Sequence, residues 1–155
     1  MSIEIERKFL LKFFPEDVTS PGLVMRQAYL TTGPPVTIRI RITANTAMIN
    51  MKQASKGLAR HEFEYDIPSD DAETILNNHL YQGNIIEKTR YKTTFADLVW
   101  EIDIFAGSND GLRIAEVELN TENQKVILPP WVGDEVTGDS KYYNANLAKQ
   151  PFCEW

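Results

Sequence analysis

The amino-acid sequence predicts an α+β, mainly β fold: an eight-stranded antiparallel β-barrel closed into a tunnel with a charged interior, with a few helices at its periphery. Three observations carry that expectation. Apolar and polar residues alternate strictly in segment after segment, which is the period of a strand and not of a helix. Short links rich in Gly, Asn or Pro separate several of those segments, as hairpin connections do. The polar member of the alternation is charged, and its sign is constant within several strands, whereas a merely solubilising surface mixes signs.

Taken in order, segment 2–11 sets Glu4, Glu6 and Lys8 against Ile3, Ile5 and Phe9, with Arg7 out of step. Segment 24–31 is strand-like and contains Tyr29. In 36–43 Arg39 and Arg41 alternate with Ile38, Ile40 and Ile42, and in 46–53 Lys52 follows Met51. Segment 60–67 opposes Glu62 and Glu64 to Phe63, Tyr65 and Ile67. Lys88 and Arg90 share a face of 84–93, Glu101 and Asp103 flank Ile102 in 97–106, and Glu116 and Glu118 alternate with Ala115, Val117 and Leu119 in 112–119. Turns are expected at 43–45, at Lys56-Gly57 and at 106–111, and the pairs Pro34-Pro35 and Pro129-Pro130 read as loop punctuation. Helical signal falls in three places. Asp70 with Glu73 resembles a capping box ahead of an apolar stripe of Ala72, Ile75, Leu76 and Leu80. Thr121 with Gln124 opens a second, short candidate, and a third follows Ser140, with Ala145, Leu147 and Ala148 apolar.

A chain of 155 residues with 43% apolar and 25% charged residues suits one folded domain, 1–155, with a single core. No apolar run is long enough to span a membrane. Charged residues at 4, 6, 7 and 8 interrupt the place where a signal peptide would carry its apolar region, so a cytoplasmic location is expected. The single Cys153 cannot form an internal disulfide, and the end of the chain around it reads as a frayed tail. A formal net charge of −6 argues against nucleic-acid binding, which draws on a surplus of exposed cations. His61 and His79 are isolated, Trp131 after two prolines reads as a packing anchor, and Glu101 stays open between the inward set and a solvated charge outside the tunnel.

For one strand, such an alternation reads as a solvated face. Its recurrence across eight segments points elsewhere. Closing eight strands abolishes exposed edges and turns alternate residues inward. If the charged set turns in, the apolar set becomes an outer face covered by helices and loops. The inward set then holds eight acids (Glu4, Glu6, Glu62, Glu64, Glu101, Asp103, Glu116, Glu118) against six cations (Lys8, Arg39, Arg41, Lys52, Lys88, Arg90). That many enclosed charges must be hydrated, paired or ligated. Carboxylates without His or Cys companions are hard oxygen ligands, suited to Mg²⁺ or Mn²⁺ and not to zinc. Arg and Lys on neighbouring strands match phosphate oxygens. Both sets in one cavity are what metal-assisted phosphoryl transfer requires.

The ordered set Glu4-Ile5-Glu6-Arg7-Lys8, Arg39-x-Arg41, Lys52, Glu62-x-Glu64, Arg90, Asp103 and Glu116-x-Glu118 resembles the CYTH or triphosphate tunnel metalloenzyme superfamily, over nearly the whole chain. That superfamily includes class IV adenylyl cyclases, thiamine triphosphatases and inorganic tripolyphosphatases. The segment from Trp131 to Asp139 with Lys141 to Leu147 looks like its short bacterial members, the tripolyphosphatases. The resemblance implies that Glu4, Glu6, Glu116 and Glu118 surround the metals, with Asp103 orienting or completing the set. Glu62 and Glu64 would serve a second metal or position water. Lys8, Arg39, Arg41, Lys88 and Arg90 would grip the triphosphate, and Lys141 would reach the tunnel mouth. Lys52 and Tyr29 match a pair that helps activate the nucleophile or stabilise the leaving group.

The expected activity is divalent-metal-dependent hydrolysis of a triphosphate, with inorganic tripolyphosphate, split to pyrophosphate and phosphate, as first choice. The alternatives are thiamine or nucleoside triphosphate hydrolysis, cyclisation in the manner of a class IV adenylyl cyclase, and non-catalytic polyphosphate binding. Cyclisation calls for a base pocket, which no motif marks, and a pure anion binder would find so many carboxylates repulsive. A small-molecule triphosphate is the expected partner, without nucleic acid or membrane, and a homodimer stays open.

Overall fold

A computed structural model describes residues 2–54 and 58–155; the turn expected at Lys56-Gly57 lies outside them. Each alternating segment is a strand: β1 Ser2–Leu11, β2 Leu23–Thr31, β3 Val36–Thr43, β4 Thr46–Gln53, β5 Ala59–Ile67, β6 Gln82–Phe95, β7 Leu98–Ala106 and β8 Arg113–Glu118. Neighbours run antiparallel in the order β5-β4-β3-β2-β6-β7-β8-β1, and β1 pairs back onto β5, so the sheet closes into a barrel. Strand β6 is longer than its alternation implied. It turns into β7 through Ala96 and Asp97, both at positive φ (48° and 65°), the geometry of a two-residue hairpin turn.

A ninth strand, β9 Val132–Glu135, is too short to show a period and takes up the edge of β1 beyond its pairing with β5. Arg7, the residue out of step, fixes this edge from outside through two hydrogen bonds to Glu135, 2.8 and 2.6 Å.

The apolar faces are buried in three clusters. Outside β2–β4, helix α1 Ser69–Asn77 lays Ala72 and Leu76 on Ala28, Ile40, Ile42 and Ala47. Outside β1, β7 and β8, the segment 119–132 covers Phe9, Trp100, Ile102 and Val117, and Trp131 stacks edge-on against Trp100 at 5.5 Å, the anchoring expected of it. The third cluster lies inside the barrel. Leu10, Ile86, Phe105 and Ile114 have the inward parity of Lys8, Lys88, Asp103 and Glu116, and they close one end against Leu147 and Ala148 of helix α2 Asn144–Lys149. The charged interior therefore ends on an apolar floor.

Several expectations are corrected. Helix α1 begins at Ser69 after Pro68, whose side chain has no acceptor to cap it, so Asp70 lies inside the helix, and Glu73 is engaged by Arg26 instead of closing a capping box. Leu80 falls beyond the helix and is exposed. Thr121 and Gln124 form a turn, Gln124 N–H donating to the Thr121 carbonyl at 3.2 Å. The chain end is not frayed: Phe152 N–H donates to Asn109 Oδ1 at 2.8 Å, and Trp155 packs edge-on against Tyr142 and Phe152. The apolar outer face is incomplete on β5, where Phe63 and Tyr65 are exposed.

Candidate active site

Cross-strand register decides which charges meet. Glu6 lies opposite Glu118, Lys8 opposite Glu116, Glu101 opposite Glu116, Arg90 opposite Asp103 and Lys52 opposite Glu62. Like charges directly opposed destabilise a sheet, so the Glu6–Glu118 and Glu101–Glu116 pairs need cations nearby. The inward faces enclose a cavity of about 330 Å³. Glu4, Glu6, Glu62, Glu64, Glu116 and Glu118 line it together with Lys8, Arg39, Arg41, Lys52 and Arg90. Glu101 joins that wall and accepts from Arg90 at 3.1 Å, which places it in the inward set.

Ion pairs thread the acids. Lys8 Nζ is 2.8 Å from Glu116 and 3.5 Å from Glu6, and Lys52 Nζ is 2.8 Å from Glu4 and 3.3 Å from Glu62. Burial opposes the charge on Lys8, but Glu116 and Glu6 outweigh it and hold its pKa up. Burial, then repulsion from Glu116 and Glu4, pushes Glu6 above the usual carboxylate range. Glu118 is raised too, by burial and by Glu4, Glu6, Glu62 and Glu101. Arg41 is pulled down to about 10 by burial and by Arg39 and Arg90.

Two expected site residues lie behind this wall. Lys88 and Asp103, 1% and 0% exposed, do not line the cavity. Lys88 Nζ donates to Asp103 Oδ2 at 2.6 Å, and Arg90 reaches the same carboxylate at 2.7 and 2.8 Å. With both oxygens engaged, Asp103 orients Arg90, which faces the cavity. Lys141 is the expectation the structure moves furthest: its ammonium sits over the rings of Tyr142 and Trp155, 5.3 and 4.6 Å from their centroids, away from the cavity.

Tyr29 is buried at 4% exposure, opposite Arg39. Burial works against the Arg39 charge, while the neighbouring Tyr29 phenol and Glu62 keep its pKa raised. Tyr29 and Lys52 meet in a second cavity of about 300 Å³ that adjoins the first and shares Lys8, Arg39, Lys52 and Asn144 with it.

Sequence reasoning missed Arg60, Asn50 and Asn144. Arg60 approaches Glu4 and Glu6 at 3.7 and 3.6 Å, and Asn50 donates to Glu62 and Glu64 at 3.1 and 2.8 Å. Arg60 has the parity of Glu62, and Asn50 that of Lys52, so the alternation itself held the signal. Asn144 comes from α2 and had none.

The donor set suits a hard divalent cation: every acid in the cavity is a carboxylate, and Glu6 and Glu118, raised first by burial and then by neighbouring carboxylates, carry a repulsion that such an ion would relieve. Among the described residues no three of these carboxylates converge tightly enough to cage an ion as they stand, because Lys8, Lys52 and Arg60 lie between them.

A closed antiparallel barrel whose inner wall joins carboxylates to guanidinium and ammonium groups defines a tunnel built for a polyanion and cations together. The chain belongs to the CYTH domain family, which it matches over residues 2–150. It is similar to an inorganic triphosphatase of Acetivibrio thermocellus, 40% identical over 152 residues, covering 98% of this chain and 97% of the relative. It is also similar to an inorganic triphosphatase of Nitrosomonas europaea, 40% identical over 149 residues, covering 94% of this chain and 96% of the relative. A solved inorganic triphosphatase structure superposes with a TM-score of 0.71 at 36% identity, over 96% of this chain and 95% of that one.

Proposed function

We propose that this protein is a divalent-metal-dependent hydrolase of inorganic tripolyphosphate, releasing pyrophosphate and phosphate. The observation that carries the reading is the single cavity of about 330 Å³ in which seven carboxylates face five cations. Family membership and the name borne by two relatives at 40% identity support the same substrate.

Glu4, Glu6, Glu116 and Glu118 would hold Mg²⁺ or Mn²⁺, with Glu62 and Glu64 serving a second ion or the attacking water. Such an ion would supply polarisation of phosphoryl oxygens and a lowered pKa of water. Lys8, Arg39, Arg41 and Arg90 neutralise the phosphate chain, Arg39 and Arg41 with planar forks. Arg90 is held in its orientation by Asp103, and Asp103 in turn by Lys88. Lys52, which lines both cavities, and Tyr29, which lines the second, stabilise the leaving phosphate oxygen. Pre-set donors of this kind require no reorganisation as charge develops.

The test is a parallel assay with Mg²⁺ or Mn²⁺ on tripolyphosphate, thiamine triphosphate and ATP, measuring phosphate, pyrophosphate and cyclic nucleotide. Tripolyphosphate turns over fastest. Cyclic AMP from ATP with inert tripolyphosphate would refute the proposal. Lys52→Ala and Tyr29→Phe each lower turnover by about 10²-fold or more; a loss within about twofold removes that residue from the chemistry.

A further inference from the structure

Strand β2 buries one amide among the cations of the barrel. Gln27 is 0% exposed, and neither its Nε2 nor its Oε1 has a hydrogen-bond partner. It lines neither cavity. A buried polar group left unpaired costs about 1–3 kcal/mol, which an apolar side chain of the same shape avoids. Asn50, a buried amide on β4, is by contrast paired, its Nδ2 donating to Glu62 and Glu64 at 3.1 and 2.8 Å. Register names the group that Gln27 can serve. Across β2 and β3 it lies directly opposite Arg41, with Arg39 on the diagonal; across β2 and β6 it lies opposite Ile86, with Lys88 on the diagonal. Side chains at such positions are within reach of one another. Every charged neighbour in that set is a hydrogen-bond donor, so the Gln27 amide oxygen is the acceptor they lack. The Nε–H groups of Arg39 and Arg41 are themselves buried without a partner.

We propose that Gln27 is a positioning residue for Arg41: its amide oxygen accepts from Arg41 Nε–H as the guanidinium closes on a triphosphate. The two terminal nitrogens then stay free to grip phosphate oxygens in a pair. The chemistry of the amide suits this place. Burial, Arg39 and Arg90 already pull the Arg41 pKa down to about 10. A carboxylate at position 27 would hold Arg41 but cancel its charge, whereas a neutral oxygen holds it and leaves the charge for the phosphate. The inference rests on the reading of Arg41 as a triphosphate contact. Gln27 itself touches no substrate, so it acts on affinity and not on the chemical step.

The experiment compares wild type with Gln27→Met, which keeps the length of the side chain and withdraws the amide. Stability and affinity move in different directions. Tm without ligand stays within about 2 °C of wild type or rises, because two unpaired polar groups are gone. Affinity for tripolyphosphate with Mg²⁺ falls about tenfold, as loss of a charge-assisted hydrogen bond does. It is read as KM, with kcat within about threefold of wild type, or as a calorimetric Kd should tripolyphosphate bind without turning over. In an Arg41→Lys background, which has no guanidinium to position, Gln27→Met changes affinity by less than about threefold. An affinity within about threefold of wild type, or an equal loss in both backgrounds, would overturn the inference. So would a Gln27→Met chain that fails to fold or loses more than about 2 °C, the mark of an amide that the fold itself requires. Wild type that binds tripolyphosphate without hydrolysing it counts against the triphosphatase reading alone, since the calorimetric comparison still measures what Gln27 does for Arg41; wild type that does not bind it overturns both.

Discussion

Asp103→Asn keeps the side-chain shape and withdraws the charge that answers Lys88 and Arg90. The Lys88 side chain is 0% exposed and lies 2.6 Å from Asp103, and Arg90 adds two contacts at 2.7 and 2.8 Å. Removing one member of a buried ion pair costs about 3–5 kcal/mol, because the remaining charge stays buried without its partner. Lys88 can shed its proton to escape that fate. Burial, with Arg90 beside it, already pulls its pKa down to about 7 against the opposing pull of Asp103. The loss at neutral pH therefore falls at the low end, about 3 kcal/mol. At roughly 2–4 °C per kcal/mol for a chain of this size, the Tm drops by about 6–12 °C. The assay is thermal unfolding followed by the fluorescence of Trp100 and Trp131, which stack in the core. Adding Lys88→Met to the variant recovers at least about half the loss. A drop smaller than about 2 °C would refute the assignment of Asp103 as the buried anchor of Lys88 and Arg90.

Other outcomes follow from the same coordinates. Without metal, Glu6 and Glu118, whose folded pKa values are raised, bind protons more tightly folded than unfolded, so acidification from neutral pH stabilises the protein through that window. Glu64, Glu116 and Glu135, whose values are lowered, reverse the trend below the ordinary carboxylate range. Thermal unfolding against pH in EDTA should thus peak on the acid side of neutral, and Mg²⁺ should raise Tm most at neutral pH and above. A Tm that only falls on acidification and ignores Mg²⁺ would contradict both points. Gly83→Ala drives a Cβ into the Ala148 carbonyl oxygen at φ +70°, which costs roughly 2–4 kcal/mol by denaturant unfolding through positive φ and overpacking. Lys141→Ala, away from both cavities, leaves kcat/KM for tripolyphosphate within about twofold.

All eight barrel strands were legible because the inward and outward faces of each differ in chemistry at every second residue. The floor lay in the same alternation but went unread, because only the charged inward positions were counted. Going toward one end, the inward parity changes from Lys8 to Leu10, from Lys88 to Ile86, from Asp103 to Phe105 and from Glu116 to Ile114. Which inward charges face the cavity was not legible. Parity puts Lys88 and Arg90 on one side of β6, but strand stagger sets their depth, and only Arg90 reaches the cavity. Arg60 escaped notice because it is a cation on a strand read as acidic. Lys141 was misplaced because nothing local told a cavity from the faces of Tyr142 and Trp155. Strand β9, four residues long, spans only two periods of alternation.

The inverted alternation has a consequence for how the chain folds. In a sheet with one wet face, a strand that pairs one residue out of step is penalised on the side that should be dry. Here the penalty falls on both sides. A one-residue slip of β1 would drive Glu4, Glu6 and Lys8 toward the tryptophan-rich packing outside and turn Phe9 into the charged interior. The side chains assembled for chemistry thereby also proofread strand pairing, and mispaired barrels lose twice.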